Sequence, residues 1–225
     1  MEIYNYNNLI VYRLRTKRCN TYLICNEGIN YLVDTGTKTD LKVLLECLIE
    51  LKIKKIDGIL LTHAHYDHAT NAAYFERLFG CNVYIAEEGI NYLLNGYGLL
   101  PKGTLSFTKV LSKIASTPLY YFVSHYDKCS NVKDISTLKL NRIEIISTKG
   151  HSNDSSTIII DNKIALCGDT IFNTKKFDYP PYADDTELLN KSIKVILDKN
   201  LENYYPGHGR PMNYTTLNNL YIKRK

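Results

Sequence analysis

The sequence predicts an α/β protein, one domain assembled from two β-led halves. Three observations carry this. Runs rich in β-branched and aromatic residues open each half, helical periodicity follows each set, and islands of metal-ligand residues fall at strand ends and loops. Side chains that do chemistry sit on loops held by a rigid scaffold, so the pattern places a site in a cleft between the halves.

The elements follow in order. Ile3–Leu14, Thr21–Cys25 and Ile29–Val33 read as strands, with Asn26-Glu27-Gly28 as a hairpin turn. Asp34-Thr35-Gly36 ends the third strand. Leu41, Leu44, Leu45, Leu48 and Leu51 recur at helical spacing and predict a helix over Asp40–Leu51. Ile56–Leu61 is a short buried strand, Asn71–Phe79 a helix stopped by Gly80, Val83–Ala86 a strand and Glu87–Leu94 a helix. Asn95–Asn131 lacks periodicity and reads as an irregular insertion with helix near Thr108–Ala115. Strands return at Arg142–Thr148, Thr157–Ile160 and Lys163–Leu166, with Asp161-Asn162 as a tight turn. Asp184 and Glu187 form a capping-box pattern opening a helix to Asp198. Asn203–Tyr205 is a last short strand and Thr215–Ile222 a terminal helix.

With 225 residues, 44% hydrophobic and 23% charged, the chain has the size and composition of a single globular domain spanning residues 1–225. No signal peptide and no apolar run of spanning length is visible, which predicts a cytoplasmic protein without a membrane partner. The net charge of +5 is modest. Arg13, Arg15, Lys17 and Arg18, then Lys52, Lys54 and Lys55, then the Lys223-Arg224-Lys225 tail are too sparse for a nucleic-acid footprint, so no nucleic acid is expected. Six cysteines show no C-x-x-C spacing and read as small buried residues rather than disulfides. Cys167, two residues before Asp169, reads as an inward-facing strand residue.

The chemistry is concentrated in four islands: Thr62-His63-Ala64-His65-Tyr66-Asp67-His68, Gly150-His151-Ser152, Cys167-Gly168-Asp169-Thr170 and Tyr205-Pro206-Gly207-His208-Gly209. Imidazole and carboxylate are ligands for zinc and similar metals, and seven of them suffice for two ions with room for water and substrate. His63 and His65, two apart, point to opposite faces of an extended chain, so sharing one metal requires a turning loop. A lone histidine such as His125 is most often a packed or surface residue. Three histidines and an aspartate within six residues resist that reading, because burying them unpaired is costly. An aspartate before Thr-Gly, as at Asp34, is equally a common turn.

On these motifs the chain resembles the metallo-β-lactamase fold hydrolases, from Asp34-Thr35-Gly36 to Tyr205-Pro206-Gly207-His208, over about three quarters of its length. The resemblance implies a metallo-β-lactamase αββα sandwich, two mixed β-sheets flanked by helices. It implies that His63, His65 and His151 hold one metal, that Asp67, His68 and His208 hold the second, and that Asp169 bridges. Two divalent ions are implied, zinc foremost, with manganese or iron as alternatives. Asp34 is implied as a support orienting the H-x-H-x-D-H loop. The Gly-Asp-Thr context of Asp169 resembles the glyoxalase II-like and lactonase-like branches, and true β-lactamases of this fold place another residue there.

The function implied is metal-dependent hydrolysis of a small thioester, ester or lactone (hydroxyacylglutathione hydrolase-like or lactonase-like). A metal-bridging hydroxide would attack the carbonyl, with Asp67 orienting it or accepting a proton. The alternatives are a sulfur dioxygenase with one iron at His63, His151 and Asp169, and a phosphodiesterase or nuclease, for which only Lys149, Lys175 and Lys176 offer cations. Tyr97, Phe107, Tyr120, Tyr121, Phe122 and Tyr126, and then Phe172, Phe177, Tyr179, Pro180, Pro181 and Tyr182, are candidates for an apolar substrate pocket or for ordinary core. The partner expected is a small-molecule substrate, and a homodimer is compatible with the sequence.

Overall fold

The structure is a computed structural model and describes residues 1–98, 102–115 and 124–223. Tyr120, Tyr121, Phe122, Arg224 and Lys225 lie outside the described residues. The chain divides into two compact units, Met1–Gly98 with His125–Ile135, and Leu99–Ser124 with Ser136–Lys225.

The first unit is built on a seven-stranded mixed sheet whose strands lie in sequence order. They are β1 (Glu2–Tyr6), β2 (Leu9–Arg13), β3 (Tyr22–Asn26), β4 (Ile29–Val33), β5 (Gly58–Leu60), β6 (Asn82–Ile85) and β7 (Val132–Asp134). The single opening strand expected over Ile3–Leu14 is in fact a hairpin. Asn7 and Asn8 take φ of 44° and 62°, and asparagine tolerates that left-handed region well enough to close a two-residue turn. Strands β1 to β4 pair antiparallel and β4 to β7 pair parallel. Parallel neighbours need crossovers, and helices supply them: α1 (Leu41–Glu50) after β4, then α2 (Tyr66–Ala69) and α3 (Ala72–Phe79) after β5. A further helix, α4 (Glu87–Asn95), follows β6.

The leucine spacing that predicted α1 buries Leu44, Cys47 and Leu48 against Leu23, Leu32 and Ile59 of the sheet, with Phe75 of α3 and Leu93 of α4 in the same core. The strand neighbours Ile24, Val33 and Leu60 are fully buried too. Burial on both faces explains why these strands read as continuous apolar runs rather than alternating ones.

The second unit holds a five-stranded mixed sheet in the order β14-β12-β10-β9-β8. Its members are β8 (Ile143–Ser147), β9 (Ser156–Ile160), β10 (Ile164–Leu166), β12 (Asn203–Tyr205) and β14 (Met212–Asn213). Strands β8, β9 and β10 form an antiparallel meander, β10 and β12 pair parallel, and β12 and β14 pair antiparallel. A parallel pair, β11 (Phe172–Asn173) with β13 (His208–Gly209), stands apart. The helices are α5 (Ser106–Ala115), α6 (Thr186–Asp198) and α7 (Tyr214–Ile222). Leu189, Ile193, Ile196 and Leu197 of α6 and Leu217 of α7 pack on Ile159, Ala165, Tyr204 and Met212.

The cap of α6 is Asp185, not Asp184. Asp185 is extended and its carboxylate accepts the Leu188 amide at 2.9 Å, which satisfies one of the helix's orphan donors. All six cysteines are free, five of them buried, and Cys167 is one of the buried five. Among the described residues no helix is long and apolar enough to cross a membrane.

Candidate metal centre

In the first unit the ligand residues follow the ends of parallel strands. Val33 of β4 pairs with Leu60 of β5, so Asp34 and Thr62 emerge side by side. The Asp34 amide donates to the Leu60 carbonyl at 3.0 Å. His65 is extended and stands as the N-cap of α2, which turns the chain after Ala64 and places Asp67 and His68 in one helical turn. This is the turning loop that the two-residue spacing of His63 and His65 requires. The rings of His63 and His65 meet edge to face at 4.5 Å, and those of His63 and His68 lie 4.2 Å apart. Ligand atoms of His63 and His65, of His63 and His68, and of Asp67 and His68 come within 4.8 Å of each other.

Asp34 organises this half. Its carboxylate is buried and accepts from the Thr62 amide at 2.8 Å, from the Thr62 hydroxyl at 2.9 Å and from His68 Nδ1 at 2.8 Å. With the Thr62 proton directed at the carboxylate, the Thr62 oxygen accepts His63 Nδ1–H at 3.0 Å. One carboxylate thus fixes the tautomer of two imidazoles and leaves each Nε2 as the nitrogen that could take a metal, the usual support for ligand histidines. The backbone around it is equally constrained. The Thr35 amide and hydroxyl both donate to the His68 carbonyl, at 2.7 and 2.8 Å. From the outside, the buried Tyr126 hydroxyl lies 2.9 Å from the Ala64 carbonyl and 3.0 Å from that of Tyr97, which its one proton serves. The half-buried His125 pairs its backbone with Tyr97 and stacks on that ring at 6.0 Å. Burial pushes the neighbouring Cys19 thiol well above its ordinary range, partly offset by His68.

In the second unit Asp169 and His208 also trail a parallel pair. Leu166 of β10 is in register with Tyr205 of β12, and each ligand lies three residues beyond its strand end. The Cys167 amide donates to the Tyr205 carbonyl and the Gly207 amide to the Gly168 carbonyl, locking the two loops together. His151 comes from the turn after β8. Its Nδ1 lies 2.9 Å from the Tyr182 carbonyl, so it donates there and Nε2 is again the nitrogen left to act as a metal ligand. Asp169 Oδ2 lies 3.5 Å from His151 Nε2 and 3.4 Å from His208 Nε2. Ligands at about 2.1 Å from a tetrahedral ion are separated by about 3.4 Å, so these spacings fit shared coordination. The Phe172 ring stacks on His208 at 4.9 Å.

Two glycines make these approaches feasible. Gly150 has φ of 132° and Gly209 of 101°, and a Cβ at either would overlap the backbone of Leu189 or Asn173. Clustered imidazole and carboxylate donors, buried or half-buried and with His63, His68 and His151 each held in one tautomer, are what a divalent first-row metal selects, and the residues fit it. The spacing of the islands singled out the histidines and aspartates that could hold an ion. Thr62, Tyr126 and the Tyr182 carbonyl carried no such signal.

The two mixed sheets with their helices and the clustered imidazole and carboxylate donors define a metal-binding α/β protein. A model of the metallo-β-lactamase superfamily matches residues 14–208, and the chain belongs to that superfamily. It is 32% identical over 196 residues to the protein named "Probable metallo-hydrolase" of Methanocaldococcus jannaschii, an alignment covering 84% of this chain and 87% of that one. It is 24% identical over 198 residues to glyoxylase B2 of Dictyostelium discoideum, covering 84% of this chain but only 61% of that longer protein. A solved structure of an archaeal metallo-β-lactamase superfamily protein from Sulfolobus tokodaii superposes with a TM-score of 0.69 at 17% identity, covering 95% of this chain and 85% of that one. The fold is therefore the metallo-β-lactamase fold, and the protein is a metal-binding member of a metallo-hydrolase superfamily.

Proposed function

We propose that the protein hydrolyses a small thioester, ester or lactone with two divalent metal ions, zinc foremost. His63, His65 and His151 would hold one ion, Asp67, His68 and His208 the other, and Asp169 both. The observation that carries this reading is the Asp169 carboxylate, one oxygen of which stands at coordination spacing from two imidazole nitrogens. The similarity to glyoxylase B2 supports an acyl-transfer substrate, and Asp169 in its Gly-Asp-Thr setting supports the same branch.

When bound, the metals supply an acidified water and polarise the substrate carbonyl. The chain's own residues do the rest. Asp34, directly and through Thr62, keeps the Nδ1 protons of His68 and His63 in place, so those rings bind through Nε2 without rearrangement. Tyr182 does the same for His151 through its carbonyl. Asp67, half-buried in the first turn of α2, is the carboxylate available to orient the attacking water or accept its proton. Hydrolysis then breaks the acyl C–S or C–O bond and releases a carboxylic acid with a thiol or alcohol.

The test is elemental analysis of protein purified without added metal, beside assays on a thioester and a lactone. About two zinc or manganese ions per chain, with turnover lost on chelation, is the expected result. One iron per chain, oxygen uptake on a persulfide and no hydrolysis would overturn it in favour of the dioxygenase.

A further inference from the structure

Helix α5 is amphipathic the wrong way round for a helix that packs on its own core. Thr108 is buried, its hydroxyl accepting the Leu105 amide and donating to the Leu105 carbonyl, both at 2.9 Å. Three apolar side chains face out instead: Phe107 is 45% exposed, Val110 58% and Leu111 47%, with Leu105 just before the helix at 36%. Positions i, i+3 and i+4 lie on one face, so Phe107, Val110 and Leu111 form a continuous apolar stripe.

This helix is fastened to the segment that supports a metal ligand. Gly103 pairs antiparallel with Tyr182, the Thr104 amide donates to Pro181 at 3.0 Å, and the Thr104 hydroxyl donates to Pro180 at 2.8 Å. The Ala183 amide donates to the Lys102 carbonyl at 2.7 Å. The Phe107 ring stacks on Phe177 of the loop after Asp169 at 6.1 Å. The Tyr182 carbonyl, between these ties, is the group that holds His151 Nδ1.

We propose that the α5 stripe, with Phe177, is the wall that receives the acyl or alkyl chain of an apolar ester or thioester. This rests on the hydrolase reading and narrows its substrate to esters or thioesters with an apolar acyl or alkyl chain, in place of short polar hydroxyacyl groups. An apolar surface tied to a metal-ligand loop is placed to take a substrate's apolar part. A second copy of the chain is a poorer occupant. Four half-exposed side chains offer on the order of 350 Å², against about 800 Å² per partner in a stable interface.

The experiment is a chain-length series, acetyl to decanoyl, of nitrophenyl esters and coenzyme A thioesters on the metal-loaded protein, with calorimetric binding of octanoate and acetate in parallel. In the wild type kcat/KM should climb about twofold per added methylene, as partial burial of each carbon predicts, mainly through KM. Phe107→Asp and Val110→Asp should lower the octanoyl-to-acetyl ratio at least tenfold and abolish the preference for octanoate over acetate. Val195→Asp, at an exposed apolar site on α6, should leave that ratio as it is. A flat series with vigorous acetyl ester hydrolysis would overturn the wall and leave the hydrolase reading standing, whereas no hydrolysis at any length overturns both. A dimer, or binding to phosphatidylserine vesicles, that Phe107→Asp abolishes while the chain-length slope persists would assign the stripe to that partner and overturn the proposal.

Discussion

Asp34→Asn is the sharpest probe of how the metal ligands are held. The substitution keeps volume, and asparagine accepts the left-handed backbone, φ of 57°, that Asp34 adopts. What it changes is one proton acceptor. In either orientation of the amide, its NH₂ group faces a donor, the Thr62 amide on one side or His68 Nδ1–H on the other. The Thr62 amide cannot change, but His68 can move its proton to Nε2, the nitrogen needed for metal. Loss of a supporting partner of this kind typically costs 10–100-fold in metal affinity, or about 1.4–2.8 kcal/mol. The stability of the metal-free fold should fall by no more than about 1–2 kcal/mol, since the buried amide keeps most of its contacts. Competition with a chromophoric chelator gives the affinity and urea unfolding of apoprotein gives the stability. Metal affinity within threefold of wild type, in a folded variant, would refute the argument that Asp34 acts by fixing tautomers.

Two other outcomes follow from the structure. Tyr126→Phe removes the hydroxyl beside the Ala64 and Tyr97 carbonyls, and should cost about 1–2 kcal/mol of stability together with a several-fold drop in metal affinity. Unchanged affinity in chelator competition would show that the loop holds its shape without that clamp. Burial pushes the Cys25 and Cys81 thiols up to about 11 and Cys129 to about 12, from 9.0. Folded thiols therefore keep protons that the unfolded chain releases, so the stability they contribute is complete below pH 9 and is lost as pH rises through 11–12. At pH 8 Cys25 and Cys81 should react with a disulfide reagent about 100-fold more slowly in native than in urea-unfolded protein, and Cys129 about 1000-fold more slowly, because only the thiolate attacks. Comparable rates in the two states would show that burial does not govern them.

Much of this molecule is legible in its sequence because the strongest signals are local. The leucine period gave α1 to within a residue at each end, and Asn203–Tyr205 is the strand expected. The hairpin at Asn7-Asn8 was hidden by aromatic residues running through it, although two asparagines in succession are a turn signal. The four islands stood out because histidine and aspartate are seldom buried together without a partner. The support behind them did not. The acceptor for His151 is a main-chain carbonyl, which any residue at position 182 would supply, and the pairing of 102–104 with 180–183 joins segments some 80 residues apart with no shared periodicity. The resemblance to a known family suggested that Asp34 supports the loop, but only the hydrogen bonds show that it reaches two histidines.

The three backing groups differ in kind, and so the imidazoles are not equivalent electron donors. His68 gives its Nδ1 proton to a carboxylate, His63 to a hydroxyl and His151 to a peptide carbonyl. A carboxylate draws that proton hardest and leaves its ring the most basic. A metal ion bound by His68 would thereby be the weaker Lewis acid, and one bound by His63 or by His151 would keep more of its charge for whatever oxygen approaches it. The difference between these imidazoles is thus inscribed a bond further out than the rings' outer nitrogens, in groups that would never touch an ion.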